Sequence, residues 1–189
     1  AELAHEVASA PAQKNIDDII SQVDRMSRWV RELLVSLRPV NDDAEAVDLL
    51  AAIDDTRHAF TQQIQRCGVQ VELNLPPAAA VVSQPVLLTQ ILNSLFSNAL
   101  EAMPGGGRLR IEVFMLEGAR QVQMTLSDTG KGMTQQQERM VFKPFFTTKQ
   151  GGLGVGLVLV KRIMERFGGA VSLSSREEEG TRVSLIFTM

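Results

Sequence analysis

The sequence predicts an α+β fold in which helices and short strands follow one another irregularly, after one long amphipathic helix. Two observations predict it. Apolar residues recur at steps of three and four between residues 16 and 37, which is the period of a helix. After residue 68, several stretches alternate apolar and polar residues between turns rich in glycine and proline, which is the pattern of half-buried strands.

Composition limits the function classes. The chain has 189 residues, 44% of them hydrophobic, enough for one or two domains with a real core. A net charge of −3 gives no reason to expect nucleic acid or an acidic membrane surface as a partner. One cysteine, Cys67, fits a reducing compartment, and two histidines with one cysteine are too few for structural zinc. The chain shows no signal peptide or membrane-spanning run. Because it begins without Met, we expect a fragment, and a membrane anchor in the full-length protein stays open.

The amino-terminal part divides into three stretches. Residues 1–12 are rich in alanine and contain the pair His5-Glu6, which on its own is most simply an exposed helix residue and its neighbour. Residues 15–37 form a heptad helix, and Pro39 ends it. Its apolar seam needs a partner, which could be another helix or the domain that follows. The polar residues 40–46 predict a linker, so we expect domains at 1–39 and 47–189.

The second domain reads as alternating helices and strands. Residues 47–67 predict a helix with Gly68 as its C-cap, residues 69–75 a strand, and residues 81–82 a short strand. Residues 84–103 predict a helix with one apolar face. A hairpin of 108–116 and 121–127, a short helix at 135–141, a helix at 153–167 and a hairpin of 170–174 and 181–188 follow.

Two glycine-rich turns are the strongest functional signal. DTGKGM, residues 128–133, places a carboxylate beside two glycines, and GGLGVGL, residues 151–157, precedes an apolar helix. Glycines let the backbone approach a ligand closely, and a helix start with free N–H groups suits phosphate. Together the turns predict a nucleotide whose base lies against Asp128 and whose phosphates lie under the second turn. Either turn alone fits an ordinary tight turn equally well.

Asn98 is the third signal. It lies near the end of the predicted 84–103 helix, one turn from Glu101, and asparagine is a poor residue inside a helix. An amide oxygen that binds Mg²⁺ would explain it, because that ion takes oxygen ligands and bridges to phosphates. The alternative is a solvated asparagine.

These motifs, in this order, resemble the ATP-binding domain of sensor histidine kinases, within the GHKL superfamily of gyrase, heat-shock chaperone and MutL ATPases. SNALEAM, DTGKGM, VFKPFFTTK, GGLGVGL and Gly180-Thr181 carry the resemblance, which covers residues 47–187 and is most similar to the nitrogen-regulation subtype. It implies a two-layer α/β sandwich of the Bergerat type: a mixed, largely antiparallel sheet of about five strands with three helices on one face. It also places the heptad helix in a dimeric helical bundle.

The resemblance implies ATP and Mg²⁺ as cofactors and gives each motif residue a role. Asp128 would accept the adenine amine, with Thr181 supporting it, and Asn98 would hold the metal. Gly130, Gly132 and Met133 would line the base pocket, and Lys149 would touch the outer phosphate. Residues 142–152 would form a lid that orders with nucleotide. The phosphate turn would comprise Gly152, Leu153, Gly154, Val155, Gly156 and Leu157.

The implied activity is autophosphorylation on His5, with Glu6 orienting the ring or taking its proton, and then transfer to an Asp of a response regulator receiver domain. The resemblance further implies a homodimer, a cytoplasmic fragment, no nucleic acid and no direct membrane contact by this fragment. Two departures keep alternatives open. The stretch from His5 to Pro39 is too short for the family's helical hairpin, so we expect a deletion or a missing segment there. Ser94 stands where the family commonly has a second Asn, one helical turn before Asn98. The alternatives are therefore a nucleotide-binding regulatory module with impaired kinase activity, and a related ATPase or Ser kinase.

Overall fold

The computed structural model describes Val23 and residues 44–116, 118, 120–149 and 152–189. His5, Glu6, residues 40–43 of the predicted linker and all of the predicted heptad helix except Val23 lie outside the described residues. The strands are β1 (Glu45–Asp48), β2 (Val69–Asn74), β3 (Ala80–Ser83), β4 (Gly107–Leu116), β5 (Gln121–Asp128), β6 (Ala170–Arg176) and β7 (Gly180–Thr188). The helices are α1 (Leu49–Ala59), α2 (Thr61–Cys67), α3 (Pro85–Ala102), α4 (Gln135–Glu138) and α5 (Gly156–Arg166).

The main sheet has five strands in the order β2-β4-β5-β7-β6. β2 runs parallel to β4, and every other neighbouring pair is antiparallel. β1 and β3 form a separate two-stranded antiparallel sheet. The predicted mixed, largely antiparallel sheet is therefore confirmed, whereas the small second sheet is an addition that the sequence pattern did not indicate.

One face of the main sheet is covered by helices. Alternate residues of its central strands are buried, as expected when a strand packs on one side only. α3 packs against both α1 and α5 over this face. The buried side chains that the strands contribute are Leu109, Ile111, Val113, Val122, Met124, Leu126, Val183, Leu185 and Phe187. The two-layer arrangement predicted from the sequence is confirmed.

The predicted single helix over residues 47–67 is wrong at both its start and its middle. Val47 belongs to β1, because Glu45–Asp48 pair with β3, and Asp48 caps α1 by accepting hydrogen bonds from the amides of Leu50 and Ala51. Phe60 then leaves the helical conformation, and its ring lies 5.6 Å from that of Phe96 in α3. This tertiary packing divides the helix. Gly68, at φ 69°, is the C-cap that the sequence predicts.

α3 is buried on more than the one face that its predicted apolar stripe provides. Leu87, Leu88, Ile91, Leu95 and Ala99 are buried as expected. A second stripe of Leu92, Phe96 and Leu100 is equally buried, because α1 and α2 cover that side as well. The helix is therefore held rigidly between neighbours, which fixes the polar residues at its carboxyl end. In the described part of the chain, every helix is too short or too polar to cross a lipid bilayer.

Candidate functional site

A cavity of about 290 Å³ opens where the end of α3, the end of β5 and the residues before α5 meet. Every cofactor-binding residue predicted from the sequence except Gly130 lines it. Those that line it are Asn98, Asp128, Gly132, Met133, Lys149, Gly152, Leu153, Gly154, Val155, Gly156, Leu157 and Thr181. Asn98 and Thr181, which lie 83 positions apart in the chain, are thus brought to one place.

Asp128 stands at the end of β5 on the face that the helices cover, because the strand alternation that buries Met124 and Leu126 continues to it. It is 8% exposed. Its Oδ1 accepts hydrogen bonds from the amides of Gly130 (2.9 Å) and Thr181 (3.3 Å). Burial raises the pKa of this carboxyl above its usual value, and the two amides and the charge of Lys149 offset only part of that rise. The result is a desolvated acceptor at the inner end of the cavity.

Thr181 supports Asp128 through its backbone. It is paired with Asp128 in the register of β5 and β7, and its hydroxyl lies 2.9 Å from that of Ser175. Ser175 in turn donates to the carbonyl of Gly180 at 2.9 Å. The predicted support for the carboxylate therefore comes from the Thr181 amide, while its hydroxyl belongs to a small network with β6.

Gly130 and Gly132 have different roles, although the sequence gives both to the base pocket. Gly130 is buried outside the cavity lining, and a Cβ there would lie 2.6 Å from the carbonyl oxygen of Ala102. It is therefore a packing position that lets the turn lie on the end of α3, where the Lys131 amide bonds to the same carbonyl at 3.2 Å. Gly132, at φ 60°, does line the cavity, and a Cβ there would collide with the backbone carbonyl of Arg176.

Asn98, Glu101 and Lys149 form a second polar cluster in the lining of the cavity. The Lys149 ammonium donates to Asn98 Oδ1 at 2.6 Å and pairs with Glu101 Oε2 at 2.7 Å. The Ser97 hydroxyl donates to the other oxygen of Glu101 at 2.6 Å. Burial raises the pKa of Glu101, but the hydrogen bonds from Lys149 and Ser97 and the charge of Lys149 outweigh it, so the pKa lies below its usual value. Glu101 therefore stays ionised.

The start of α5 faces this cluster. α5 begins at Gly156, three residues later than predicted, and its N-terminus has no side-chain cap. A Cβ at Gly156 would lie 2.7 Å from the hydroxyl oxygen of Ser94 and 3.8 Å from the amide nitrogen of Asn98. Gly154, at φ 65°, turns the chain so that its carbonyl accepts from the Phe145 amide at 3.1 Å. A helix start without a side-chain cap thus lines the cavity, as a phosphate site requires.

Several cavity residues were not predicted. Thr147 and Thr148 lie in the FFTTK motif before Lys149, and Lys131 lies inside DTGKGM, so their position in quoted motifs was the available signal. The apolar walls Leu126 and Val183 stand two residues from Asp128 and Thr181 on the same faces of their strands, and strand alternation could have found them. Within the described residues, no group of three or more His, Cys, Asp or Glu side chains could hold a metal by itself.

Comparisons with known proteins agree with this geometry. Sensor histidine kinase ZraS of Salmonella typhi is 32% identical over 94% of this chain, which spans 36% of that relative's length. The mycobacterial sensor histidine kinase MprB has a similar fold, with a TM-score of 0.68, 23% identity, and coverage of 77% of this chain and 97% of that one. Histidine kinase ThkA, solved in complex with response regulator protein TrrA, has a TM-score of 0.74 at 21% identity, covering 93% of this chain and 50% of that one.

A family match covers the residues that build the cavity. The family described as histidine kinase-, DNA gyrase B- and HSP90-like ATPase matches residues 83–189, from the end of β3 to the last residue of the chain. That range includes α3, both glycine-rich turns and the β6–β7 hairpin. The chain therefore belongs to the family of histidine kinase-, DNA gyrase B- and HSP90-like ATPases, whose domains bind ATP.

Proposed function

We propose that this chain is the catalytic part of a sensor histidine kinase, which phosphorylates its own histidine with ATP and passes the group to an Asp of a response regulator. The observation that carries the proposal is the single cavity that unites Asp128, Asn98, Lys149 and the start of α5. The relatives named sensor histidine kinases support it, although the chain spans only about a third of their length.

Asp128 is the proposed reader of the base. Both of its backbone hydrogen bonds use Oδ1, so we expect Oδ2 to accept the exocyclic amine of adenine. Guanine carries a carbonyl at the corresponding position and would place two acceptors against each other, which a buried site penalises. Met133, Leu126 and Val183 supply the apolar surface for the ring.

The phosphates are proposed to lie between Lys149 and the backbone amides at residues 154–156, where the helix start has no side-chain cap. For Mg²⁺, the Asn98 amide oxygen is a suitable donor, because together with the Glu101 carboxylate it already holds a cation, the Lys149 ammonium, at 2.6 and 2.7 Å. Hard oxygen ligands beside phosphates are the surroundings that Mg²⁺ takes. When bound, the ion neutralises charge that develops on the transferred phosphoryl group. Asn98 would hold it, and Lys149 would neutralise the outer phosphate.

The transfer step is proposed for His5. A ring nitrogen attacks the γ-phosphorus of ATP, the bond to the β-phosphate oxygen breaks, and ADP leaves, while Glu6 orients the ring or takes its proton. Transfer requires the ring nitrogen within about 3–3.5 Å of phosphorus. Because His5 lies outside the described residues, this step is supported by the His5-Glu6 pair and by the similarity to relatives named sensor histidine kinases. A homodimer through the 16–37 seam and a response regulator as partner belong to the same proposal.

Labelling tests the activity. Incubation with γ-labelled ATP is expected to give an acid-labile, base-stable label that His5→Ala abolishes and Glu6→Ala slows, with nucleotide affinity unchanged in both variants. Because the stretch after His5 is short, the same assay is run on a chain with a full helical hairpin restored between Val7 and Asn15. A restored chain that binds ATP and stays unlabelled contradicts the kinase proposal.

Ser94 favours one alternative. It faces Gly156 in the position where the family commonly carries a second asparagine, and a hydroxyl is a shorter ligand than an amide. A nucleotide-binding regulatory module with weak kinase activity would show full ATP affinity without labelling. Ser94→Asn separates the two functions: recovery of label identifies an impaired kinase, and continued absence of label identifies the nucleotide-dependent switch.

A further inference from the structure

The Lys149 ammonium donates a hydrogen bond to Asn98 Oδ1, the oxygen that would bind the metal in the proposed function. Its Nζ lies 2.6 Å from Asn98 Oδ1 and 2.7 Å from Glu101 Oε2, so both hydrogen bonds are short and charge-assisted. Lys149 lines the cavity with its side chain 32% exposed, and Glu101 is 44% exposed. The cluster is thus only partly shielded, and its ammonium can leave the oxygens without breaking the core.

Two cations cannot use Asn98 Oδ1 in the same way at the same time. A divalent ion needs that oxygen at about 2.0–2.1 Å, which would bring it within a few ångströms of an ammonium held 2.6 Å from the same atom. Like charges at such separation repel strongly in a partly buried site. Glu101 offers the ammonium a second anchor, because its other oxygen is already held by the Ser97 hydroxyl.

We propose that Lys149 and the divalent cation exchange at Asn98 Oδ1, with Glu101 retaining the displaced ammonium beside the cavity. Lys149 then competes with the metal for Asn98 Oδ1, in addition to contacting phosphate. This inference rests on the proposed nucleotide function and adds to it a competition between a side chain and the metal. It implies that Lys149 reduces the gain in nucleotide affinity that the metal provides.

The test is the ratio of two ADP dissociation constants, measured by calorimetry without metal and with saturating Mn²⁺. Taking the ratio cancels only the part of the Lys149 contact with the nucleotide that has the same strength with and without metal. In Lys149→Met we expect the metal to improve ADP binding by about tenfold more than in the unmodified chain, because a competing positive charge is gone. Lys149→Arg keeps the charge and is expected to return the ratio toward its original value. Lys161→Met, in the Lys161–Glu165 pair of α5, is the matched control.

If Lys149 only contacted phosphate, Lys149→Met would also make ADP binding more dependent on metal. An Asn98 variant therefore distinguishes exchange at Asn98 from a phosphate contact alone. In an Asn98→Ala background, exchange predicts that Lys149→Met changes the ratio by less than about twofold, within ordinary additivity. The same large change in both backgrounds means that Lys149 acts only on phosphate and overturns the proposal, as does no change in either. Failure of the unmodified chain to bind ADP with or without Mn²⁺ overturns the proposed function itself, and the exchange with it.

Discussion

Asp128 shows how a single residue can be placed for binding at a cost to stability. Its carboxylate is almost fully buried and burial raises its pKa, so ionisation costs more free energy in the folded chain than in the unfolded one. Such a group stabilises the fold fully below the pKa of the unfolded chain, and that stabilisation is lost as the pH rises through the higher folded pKa. Above the folded pKa the ionised side chain therefore lowers the stability of the fold, a cost that binding residues commonly carry.

Asp128→Asn is expected to abolish adenine nucleotide binding while leaving the fold equally or more stable. Asparagine keeps an oxygen for the Gly130 and Thr181 amides, but it removes the buried charge, which is worth about 1 kcal/mol per pKa unit of rise. Calorimetry with ADP and thermal unfolding measure the two effects. Asp54→Asn is the control, because Asp54 is exposed and paired with Arg57. Unchanged ADP affinity would contradict the role in base reading.

The affinity for adenine is expected to fall as the pH is lowered toward the raised pKa of Asp128. Protonation puts a hydrogen on a carboxylate that must accept one from the adenine amine. The loss therefore begins at a higher pH than an exposed aspartate would give. Titration with adenosine, which has no phosphate, follows the effect by NMR, and an affinity that stays flat down to acid unfolding would refute it.

The sequence could predict Asp128 but not Gly130, and the reason is physical. Asp128 follows from local signals: a strand end, a carboxylate and adjacent glycines. The role of Gly130 depends on the carbonyl of Ala102, which belongs to another element and reaches it only in the folded chain. For the same reason the periodicity of the sequence does not indicate that Thr147 and Thr148 line the cavity, because their position depends on tertiary structure.

The bounds of the strands agree closely with those predicted from the alternation of apolar and polar residues, whereas the bounds of the helices agree less well. Alternation fixes which face of a strand is buried, so the five main strands lie within a few residues of their predictions. The break at Phe60 depends on a ring in α3, and β1 exists because β3 is there to pair with it. Contacts between distant elements decide both, and they carry no local signal.

Two glycines in turns provide a matched test of close packing between elements. Gly118 (φ 75°) has open space where a Cβ would lie, whereas a Cβ at Gly132 (φ 60°) meets the Arg176 backbone. Gly118→Ala is expected to cost roughly 1–2 kcal/mol from its left-handed conformation alone. Gly132→Ala is expected to cost a further 1–3 kcal/mol or so from overpacking.

Urea unfolding of the two variants compares these costs, and ADP affinity is measured alongside. Gly132→Ala is also expected to weaken ADP, because the displaced turn lines the cavity. Equal destabilisation by the two substitutions would show that the turn yields without strain, and the assignment of Gly132 to a close approach would be wrong.

For the whole molecule, the heptad seam predicts association with a second copy. Val23, a seam residue that the structure describes, is 54% exposed. Replacing Val23 and Val30 by Lys places charge in the predicted interface, so sedimentation is expected to shift from dimer to monomer. Ser21→Lys, on the opposite side of the heptad, is the control and is expected to remain dimeric. A monomer at high concentration in the unmodified chain would contradict the prediction.

The pairing of β5 with β7 has a consequence for how the protein is made. The hydrogen bond from the Thr181 amide to Asp128 joins residues 53 positions apart, and β7 runs almost to the last residue of the chain. During synthesis the amino-terminal elements emerge first, and contacts distant in sequence are slow to form. The carboxylate that reads the base therefore acquires its second amide only after Thr181 has left the ribosome, and no earlier nascent intermediate holds a finished adenine pocket.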